Sequence, residues 1–215
     1  MQNSKKSRFI CLSRDDPRDV LLIKKRSIRR SSLTIATSSP RRKFYLRHLD
    51  EFLPNKKFKS NSIRGNITTR LEKIILSTKH DGVFMAKAAI DRVFQYGQKI
   101  NNQEFQKFKK YFNQFECIIL PLSNFPAAAA QGCIAIEYSA KNRKLDTILQ
   151  SINDPQSFHQ AQLERKFLSR WGGGCALDIG VTVESFLDLQ ILFARGKDEY
   201  TKKYFHERKY LSRPK

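Results

Sequence analysis

The 215-residue chain is 40% hydrophobic and contains 16 phenylalanines, which excludes a disordered protein and allows one large domain or two small ones. Its 41 Lys and Arg against 20 Asp and Glu give a net charge of +21, which favours an anionic partner: a nucleic acid, a membrane surface or a polyacidic small molecule. The four cysteines include no C-x-x-C pair and no histidine at metal-ligand spacing, so we expect neither a metal site nor a disulfide framework.

Cysteine usage and the apolar runs together predict a cytoplasmic protein. Scattered cysteines suit a reducing compartment. The longest apolar runs, residues 20–23 and 117–122, are far too short to span a membrane. Residues 1–8 are basic, but no apolar stretch follows them before Asp15 and Asp16, so we expect no signal peptide.

The first half of the chain alternates between strand-like and helical patterns, which argues for α/β packing. Ser39 followed by Pro40 is a specific helix-start signal, because serine is a favoured N-cap and proline fits the first helical position. The predicted elements are a strand at 33–36, a helix from Pro40 to about His48, a helix at 68–77, a strand at 82–85 and a helix at 86–95.

Residues 102–113 form an amphipathic segment with two interpretations. Interleaved phenylalanines and lysines are able to stack on the bases of a single-stranded nucleic acid and neutralise its phosphates. Phe105, Phe108 and Phe112, however, follow an i, i+3, i+7 spacing, which places all three rings on one helix face. We therefore favour a core-facing helix with solvated lysines.

The second half of the chain is predicted to begin with two strands joined by an alanine-rich loop, and a polar stretch after Ser139 suggests a domain boundary. The predicted elements are strands at 115–122 and 133–138, helices at 145–152 and 155–170, β-prone runs at 181–183 and 187–193, and a basic tail. The second of these helices ends at Trp171 and three glycines, directly before Cys175.

Cys175 has two interpretations on local sequence alone. A glycine helix stop followed by a buried cysteine is the ordinary one. The alternative is that Gly172, Gly173 and Gly174 remove side-chain bulk and allow a large group to approach the thiol.

Three basic clusters lie at predicted loop-to-helix junctions or within the helix that follows. An unpaired helix N-terminus that also carries arginines binds carboxylate or phosphate well, and the sequence does not distinguish between the two. Gly65 would allow an anion to approach the backbone; ordinary surface charge is the alternative for each cluster. The clusters are SSPRR at 38–42, IRGNITTR at 63–70, and Arg92 alone.

Five stretches in order resemble successive signatures of the porphobilinogen deaminase (hydroxymethylbilane synthase) family. They are RDDPRD at 14–19, TSSPRR at 37–42, IRGNITTR at 63–70, QGCIAIE at 131–137, and ERKFL at 164–168 followed by GGC at 173–175. The resemblance runs from about Phe9 to Ile179. Five motifs in the right order are far more specific than any one alone.

The resemblance implies a transferase of tetrapyrrole (haem) biosynthesis, which condenses four porphobilinogen molecules, with loss of ammonia, into the linear tetrapyrrole hydroxymethylbilane. It implies a dipyrromethane cofactor joined by a thioether to Cys175, and a polypyrrole whose carboxylates are held by the basic clusters. The implied cofactor-binding residues are Thr37, Ser38, Ser39, Arg41, Arg42, Arg64, Gly65 and Arg70, with Arg92 on the substrate. Carboxylate is thereby favoured over phosphate.

The resemblance also implies the fold: α/β, with a periplasmic-binding-protein-like doubly wound domain, which is the family's second, and a small α+β C-terminal domain with an antiparallel sheet. The family's first domain would be mostly absent. The expected bounds are 1–14 for a remnant of the first domain and hinge, 15–112 for the second domain, 113–140 for a return segment belonging to the first, and 141–215 for the C-terminal domain with the cofactor cysteine.

The chain also departs from the family pattern. The catalytic aspartate of the family lies in a Ser-x-Lys-Asp context, which this sequence lacks. Asp15, Asp16 and Asp19 match the segment between the first two domains, so no catalytic residue is assigned. Ala130 and Asp178 stand where the family often has glycine and proline.

These departures lead to further expectations. Residues 113–138 are expected to lack a partner sheet and to expose Phe115, Ile118, Ile119 and Ile136, which favours association. The chain alone is expected to be inactive or poorly soluble unless an N-terminal half, encoded separately, is supplied. The alternatives are a truncated, non-catalytic relative or half of a split enzyme that only binds pyrrole carboxylates. A nucleic-acid or membrane partner is not expected.

Overall fold

A computed structural model describes residues 7–172, 177–187 and 189–211, which form a mixed α/β protein with three sheets. The elements are β1 (Ser7–Cys11), β2 (Asp19–Lys24), β3 (Ser32–Ala36), α1 (Pro40–Leu46), β4 (Lys57–Asn61), α2 (Ile67–Leu76), β5 (Gly82–Ala86), α3 (Lys87–Ile100), α4 (Gln103–Phe112), β6 (Phe115–Ile119), β7 (Ala135–Ser139), α5 (Arg143–Ser151), α6 (Pro155–Leu168), β8 (Gly180–Phe186), β9 (Leu189–Lys197) and β10 (Tyr204–Leu211).

The chain divides into two compact units. Unit 1 comprises Met1–Pro17, Leu122–Cys175 and Ile179–Lys215, and unit 2 comprises Arg18–Pro121 and Ala176–Asp178. The chain therefore passes from one unit to the other next to Pro17 and Pro121, whereas the bounds expected from sequence lie at 14, 112 and 140. The assignment of segments to domains of the family stays a prediction.

Unit 2 is built on a five-stranded mixed sheet in the order β4-β3-β5-β2-β6. Strand β3 runs parallel to β4 and β5, whereas β2 runs antiparallel to β5 and β6. Every residue of β2 is buried, as expected for an apolar central strand. The core on one side of the sheet includes side chains from α2, α3 and α4.

Helix α4 confirms the core interpretation of the amphipathic segment. Phe105 and Phe108 are buried, and the Phe94 ring of α3 meets both edge-on, at centroid distances of 6.3 and 5.1 Å. Edge-to-face aromatic pairs of this kind stabilise a core beyond the area that they bury. These two rings are therefore part of the packing between helices and not a surface on which bases stack.

The expectation that residues 113–138 lack a partner sheet is wrong. Strand β6 pairs with β2 from Phe115 opposite Lys24 to Ile119 opposite Val20, and β7 pairs with β1 in unit 1. The Leu120 N–H extends the first ladder by donating to the Asp19 carbonyl at 3.0 Å. Phe115 is consequently buried; Ile119 remains 41% exposed at the outer edge.

Unit 1 contains the two-stranded antiparallel ribbon β1-β7 and the three-stranded antiparallel sheet β10-β9-β8. The sheet agrees with the expected antiparallel C-terminal sheet. Its third strand, β10, was predicted only as a basic tail. The strand is held by its ladder with β9, from Tyr204 opposite Lys197 to Leu211 opposite Gln190, while most of its side chains stay exposed.

A buried ion pair helps to join four parts of unit 1. Glu164 of α6 is 0% exposed and receives two hydrogen bonds from the Arg14 guanidinium, at 2.7 and 3.1 Å. Its two oxygens also accept the Ala130 N–H at 2.6 Å and the Val183 N–H at 2.7 Å. One carboxylate thus fixes α6 against the N-terminal segment, the alanine-rich loop and β8.

Candidate anion-binding site

The first two basic clusters lie at the ends of the parallel strands β3 and β4 in unit 2. The Thr37 N–H donates to the Asn61 carbonyl at 2.7 Å, which continues the β3-β4 pairing. The Ser38 hydroxyl donates to the Ile63 carbonyl at 2.8 Å and accepts the Ile63 N–H at 3.1 Å. Ligands of α/β sheets bind at such carboxyl ends of strands, so the fold brings the two clusters to a suitable edge.

Helix α1 starts as predicted. Ser39 has extended backbone angles, its hydroxyl accepts the Arg42 N–H at 3.4 Å, and Pro40 occupies the first turn. The helix ends at Leu46 instead of His48. Because the cap fixes the first turn, the side chains of Arg41 and Arg42 project from the helix at a defined position.

A buried aspartate organises these two arginines. Asp19, the first residue of β2, is 0% exposed and accepts from Arg41 Nη1 at 2.6 Å through Oδ2. Its Oδ1 accepts from Arg42 Nε at 3.1 Å and from Nη2 at 2.8 Å. Arg41 itself is only 4% exposed. The forked geometry holds both guanidinium groups rigidly.

The sequence reasoning gave Asp19 no part in this site, although a signal was present. No Asp or Glu occurs between Asp19 and Asp50. A buried arginine needs a carboxylate partner, and Asp19 is the acid at the start of the buried strand that leads into this basic stretch.

Several guanidinium charges act together at this site. Burial is the largest influence and lowers the pKa of Arg42; the Asp19 carboxylate opposes it, and the charges of Arg41 and Arg70 lower it further. The charges of Arg41, Arg42 and Arg70 thus influence one another beside the Asp19 carboxylate. A group of guanidinium side chains in a partly buried setting attracts an anion more strongly than the same group does in water.

The second cluster surrounds the start of α2. Arg70 Nε donates to the Gly65 carbonyl at 2.7 Å, and Lys73 Nζ donates to the Arg64 carbonyl at 3.0 Å. Gly65 has φ +130°, a conformation that favours glycine. Gly65 therefore allows the loop to adopt this conformation. An anion contact at Gly65 stays a prediction. The Arg64 residue is exposed and Arg70 is half-buried.

Arg92 lies on α3, the helix that begins immediately after Ala86 of β5. Ala86 pairs in register with Asp19, so α3 starts at the edge of the sheet where the Asp19 cluster lies. Arg92 is half-buried in the second turn of that helix. Its contact with a substrate stays a prediction.

Cys175 lies outside the described residues, together with Gly173 and Gly174, but both flanks of this segment are described. On the upstream side, the indole Nε1–H of Trp171 donates to Asp198 Oδ2 at 2.8 Å. On the downstream side, Asp178 Oδ2 lies 3.6 Å from Arg47 Nη2, and both residues belong to unit 2. Arg47 is the C-cap residue of α1.

The bond between Trp171 and Asp198 predicts a titration at low pH. The Thr201 N–H, and then the Trp171 indole N–H, lower the pKa of Asp198 from its ordinary 3.8 to about 2. Because the folded pKa is depressed, the interaction is complete above about pH 4 and is lost as the pH falls through about 2. Trp171 is the single tryptophan, so its emission is expected to change in this window.

The matched control is Asp198→Asn, which has no titrating carboxylate. A fluorescence titration with far-UV circular dichroism as the monitor of global unfolding checks the prediction. The same emission step in Asp198→Asn, at unchanged secondary structure, contradicts it.

The three described cysteines are poor nucleophiles. Burial raises the pKa of Cys133 to about 11, and it raises those of Cys11 and Cys117 as well. Because the thiolate is the reactive form, none of these three is a better candidate than Cys175 for a covalent attachment.

A cavity of about 350 Å³ in unit 1 is lined by several acidic side chains, in contrast to the arginine cluster of unit 2. Its walls include Asp15, Asp16, Asp154 and Glu184. Carboxylate walls suit a cation and repel a polyanion, so this cavity is not a candidate for the ligand that the arginines attract.

Membrane-spanning and metal-binding features are absent from the described ranges. No helix there is long and apolar enough to cross a membrane. No group of three or more His, Cys, Asp or Glu side chains in the same part of the chain comes together as possible metal ligands.

Comparison with known proteins identifies a family. The family model described as "Porphobilinogen deaminase, dipyromethane cofactor binding domain" matches residues 2–147. Probable porphobilinogen deaminase of Picrophilus torridus is 34% identical over 191 residues, 88% of this chain and 58% of that relative. The corresponding protein of Saccharolobus islandicus is 31% identical over 174 residues, 80% and 51% of the two chains.

Porphobilinogen deaminase of Clostridium novyi is 34% identical over 194 residues, 88% of this chain and 58% of the relative. The chain thus spans a little over half the length of these curated relatives. A solved structure from work on glutathione import, concerning Streptococcus mutans, aligns with a TM-score of 0.36 and 11% identity over 78% of this chain and 64% of that one. That likeness is too slight to support an argument.

Proposed function

Because this chain belongs to the porphobilinogen deaminase family, we propose that it is a hydroxymethylbilane synthase polypeptide of tetrapyrrole biosynthesis. In this function it takes part in the stepwise condensation of four porphobilinogen molecules, with loss of ammonia, into the linear tetrapyrrole hydroxymethylbilane. The observation that supports the proposal most directly is the pair of guanidinium groups, Arg41 and Arg42, that Asp19 holds at the start of α1. Each pyrrole unit bears an acetate and a propionate, so the growing chain is a polyanion that this site attracts.

Arg41 and Arg42 are the central carboxylate-binding residues in this proposal. Their guanidinium groups are already fixed by Asp19, so binding costs little further side-chain entropy. A planar guanidinium matches the two oxygens of a carboxylate, which a lysine ammonium does not. Arg64, Arg70 and Arg92 extend the set toward α2 and α3. Thr37, Ser38, Ser39 and Gly65 supply hydroxyl or backbone contacts from the connecting loops.

Cys175 is the proposed attachment residue for the dipyrromethane cofactor, through a thioether. When bound, this group supplies the primer to which pyrrole units are added. The position of Asp178 supports the assignment. Asp178 is the third residue after Cys175 along the chain, and it lies beside Arg47 at the end of α1. Arg41 and Arg42 are on the same helix.

The acid that assists loss of ammonia is proposed to lie outside these 215 residues, on the same polypeptide or on a second one. Asp19 does not suit this role, because it is fully buried and both of its oxygens accept from arginines. Within the described residues, β1 and β7 pair only with each other. A two-stranded ribbon is marginally stable alone, so its edges are suitable for pairing with further strands.

A mass spectrum of the folded chain, produced in a cytoplasm that makes porphobilinogen, tests the proposal. We expect an increment of two pyrrole units in the wild type and in Cys117→Ala, because the exposed Cys117 is a matched control thiol. The increment is expected to be absent in Cys175→Ala. A folded wild type without any increment contradicts cofactor attachment and favours the alternative, a non-catalytic relative that only binds pyrrole carboxylates.

A further inference from the structure

A second group of cations in unit 2 lies at the end of β2 that is opposite to Asp19. Lys24 is the last residue of the strand, five steps from Asp19 or about 17 Å along it. Lys25 and Arg26 follow directly, and both are exposed. Because the length of the strand separates the two groups, this second one is distinct from the proposed carboxylate-binding cluster.

Lys24 is a buried cation that meets carbonyl oxygens. The residue is 3% exposed, and its Nζ donates to the Ser77 carbonyl at 2.9 Å and to the Ile74 carbonyl at 3.3 Å. Both carbonyls belong to the C-terminal end of α2, where a positive charge is favourable. An ammonium group has three N–H donors, so these two contacts leave it capacity for one further acceptor.

Asp81 compensates the charge of Lys24 only in part. Burial is the main influence on the pKa of Lys24 and lowers it, whereas the Asp81 carboxylate acts in the opposite direction. The Asp81 oxygens are occupied by other groups: Oδ1 accepts from the Ser27 hydroxyl and from Arg30, each at 2.8 Å, and Oδ2 accepts the Thr34 N–H at 2.9 Å. Asp81 is thus committed to Arg30 and offers Lys24 only a longer-range attraction.

The three cations line one cavity of about 240 Å³. Arg26 Nη2 donates to the Ile75 carbonyl at 3.2 Å, and the Lys25 N–H donates to the Gln114 carbonyl at 2.9 Å. The volume is below the usual range for drug-sized ligands, about 300–1,000 Å³, so the cavity suits a small anionic group. The lining combines cations, two carboxamides and one apolar side chain: Lys24, Lys25, Arg26, Asn113, Gln114 and Ile75.

Phosphate fits this lining better than carboxylate does. A phosphate group carries up to two negative charges near neutral pH and presents three terminal oxygens, so all three cations are able to share it. A carboxylate has one charge and two oxygens. Capping of α2 explains the contacts of Lys24 and Arg26 with its last turn, but it explains neither Lys25 nor the cavity beside Gln114.

We propose that this cavity binds a phosphate group, either as a free ion or as part of a nucleotide, through Lys24, Lys25 and Arg26. The Asn113 carboxamide is the further donor in the lining. The inference does not depend on the proposed function, because these residues belong neither to the arginine cluster nor to the cysteine segment.

The measurement is hydrogen–deuterium exchange of the full chain, titrated with inorganic phosphate, adenosine monophosphate or acetate at constant ionic strength, with chloride as the balancing anion. Constant ionic strength removes general screening as an explanation. We expect phosphate to slow exchange saturably in peptides that cover residues 24–31, and acetate to require at least about ten times the concentration. Adenosine monophosphate distinguishes the two sources: tighter binding than phosphate assigns the site to a nucleotide, and equal or weaker binding assigns it to the free ion.

Lys25→Gln and Arg26→Gln each remove one cation from the cavity and keep a polar side chain. Each is expected to raise the apparent dissociation constant for phosphate about tenfold, because a charge-assisted hydrogen bond is lost. Arg29→Gln is the matched control, since it removes the same charge from an exposed residue that does not line the cavity. The control is expected to change the constant by less than about twofold.

An absence of protection at residues 24–31 up to about 10 mM phosphate overturns the inference. An equal loss in Arg29→Gln overturns it as well, because diffuse charge would then explain the binding. Protection confined to peptides from residues 37–46 places the phosphate at Arg41 and Arg42 and contradicts binding in the cavity. Equal constants for phosphate and acetate contradict the preference for phosphate.

Discussion

Glu164→Ala is expected to lower the unfolding free energy of unit 1 by about 3–5 kcal/mol, the usual result of breaking a buried ion pair by removing one partner. The substitution leaves the Arg14 guanidinium buried without a countercharge and deprives two backbone N–H groups of their acceptor. Trp171 lies in unit 1 and is the single tryptophan, so urea denaturation followed by its fluorescence measures the loss.

Two further variants make this prediction specific. Arg14→Met combined with Glu164→Leu is expected to recover much of the loss, because an apolar pair removes the uncompensated charge. Glu199→Ala is the control, since Glu199 is an exposed acid of the same unit whose ion pair with Lys202 spans 3.8 Å. A loss below about 1 kcal/mol in Glu164→Ala would show that Arg14 finds another partner or water.

Asp19→Asn is expected to have a similar effect on unit 2, about 3–5 kcal/mol, because the buried Arg41 and the largely buried Arg42 would both lose the carboxylate that they contact. Asn keeps the shape of the side chain, so the loss reports charge and not a cavity. Hydrogen–deuterium exchange of peptides from β2 and β3 measures it, since local exchange reports the stability of these strands.

The control is Asp50→Asn, which removes an exposed carboxylate from the same unit. A polycarboxylate in the buffer is expected to restore part of the protection in Asp19→Asn and none in the control, because an external carboxylate is able to pair with the arginines. Equal exchange in wild type and Asp19→Asn would contradict the view that Asp19 is the partner on which both guanidinium groups depend.

Local signals in the sequence predicted the elements around the site correctly. Ser39 and Pro40 specify the start of α1 through groups that belong to that turn alone. Phe105 and Phe108 specify the buried face of α4 because their spacing equals one helical turn. The family resemblance favoured carboxylate as the ligand of the arginines, which charge and spacing by themselves left open between phosphate and carboxylate; this role stays a prediction.

Pairings between distant segments were predicted less well. The scarcity of acids between Asp19 and Asp50 singles out Asp19 as a partner for a buried arginine, but the contacts with Arg41 and Arg42 depend on how α1 packs against the start of β2. Strand β10 was missed because its side chains are mostly exposed and charged, and its ladder with β9 has no apolar periodicity to reveal it. Strands β6 and β7 were assigned correctly as strands, but their partners were not foreseen.

The ladder that joins Leu120 to Asp19 has a consequence for the autonomy of unit 2. Its first and last strands are neighbours, so the segment from Arg18 to Pro121 enters and leaves the sheet at the same place. Chain ends that meet in this way are typical of inserted domains and tolerate excision or circular permutation. The arginine cluster and its aspartate lie wholly inside that segment, so the proposed carboxylate recognition can be studied on an excised unit 2, apart from the cysteine.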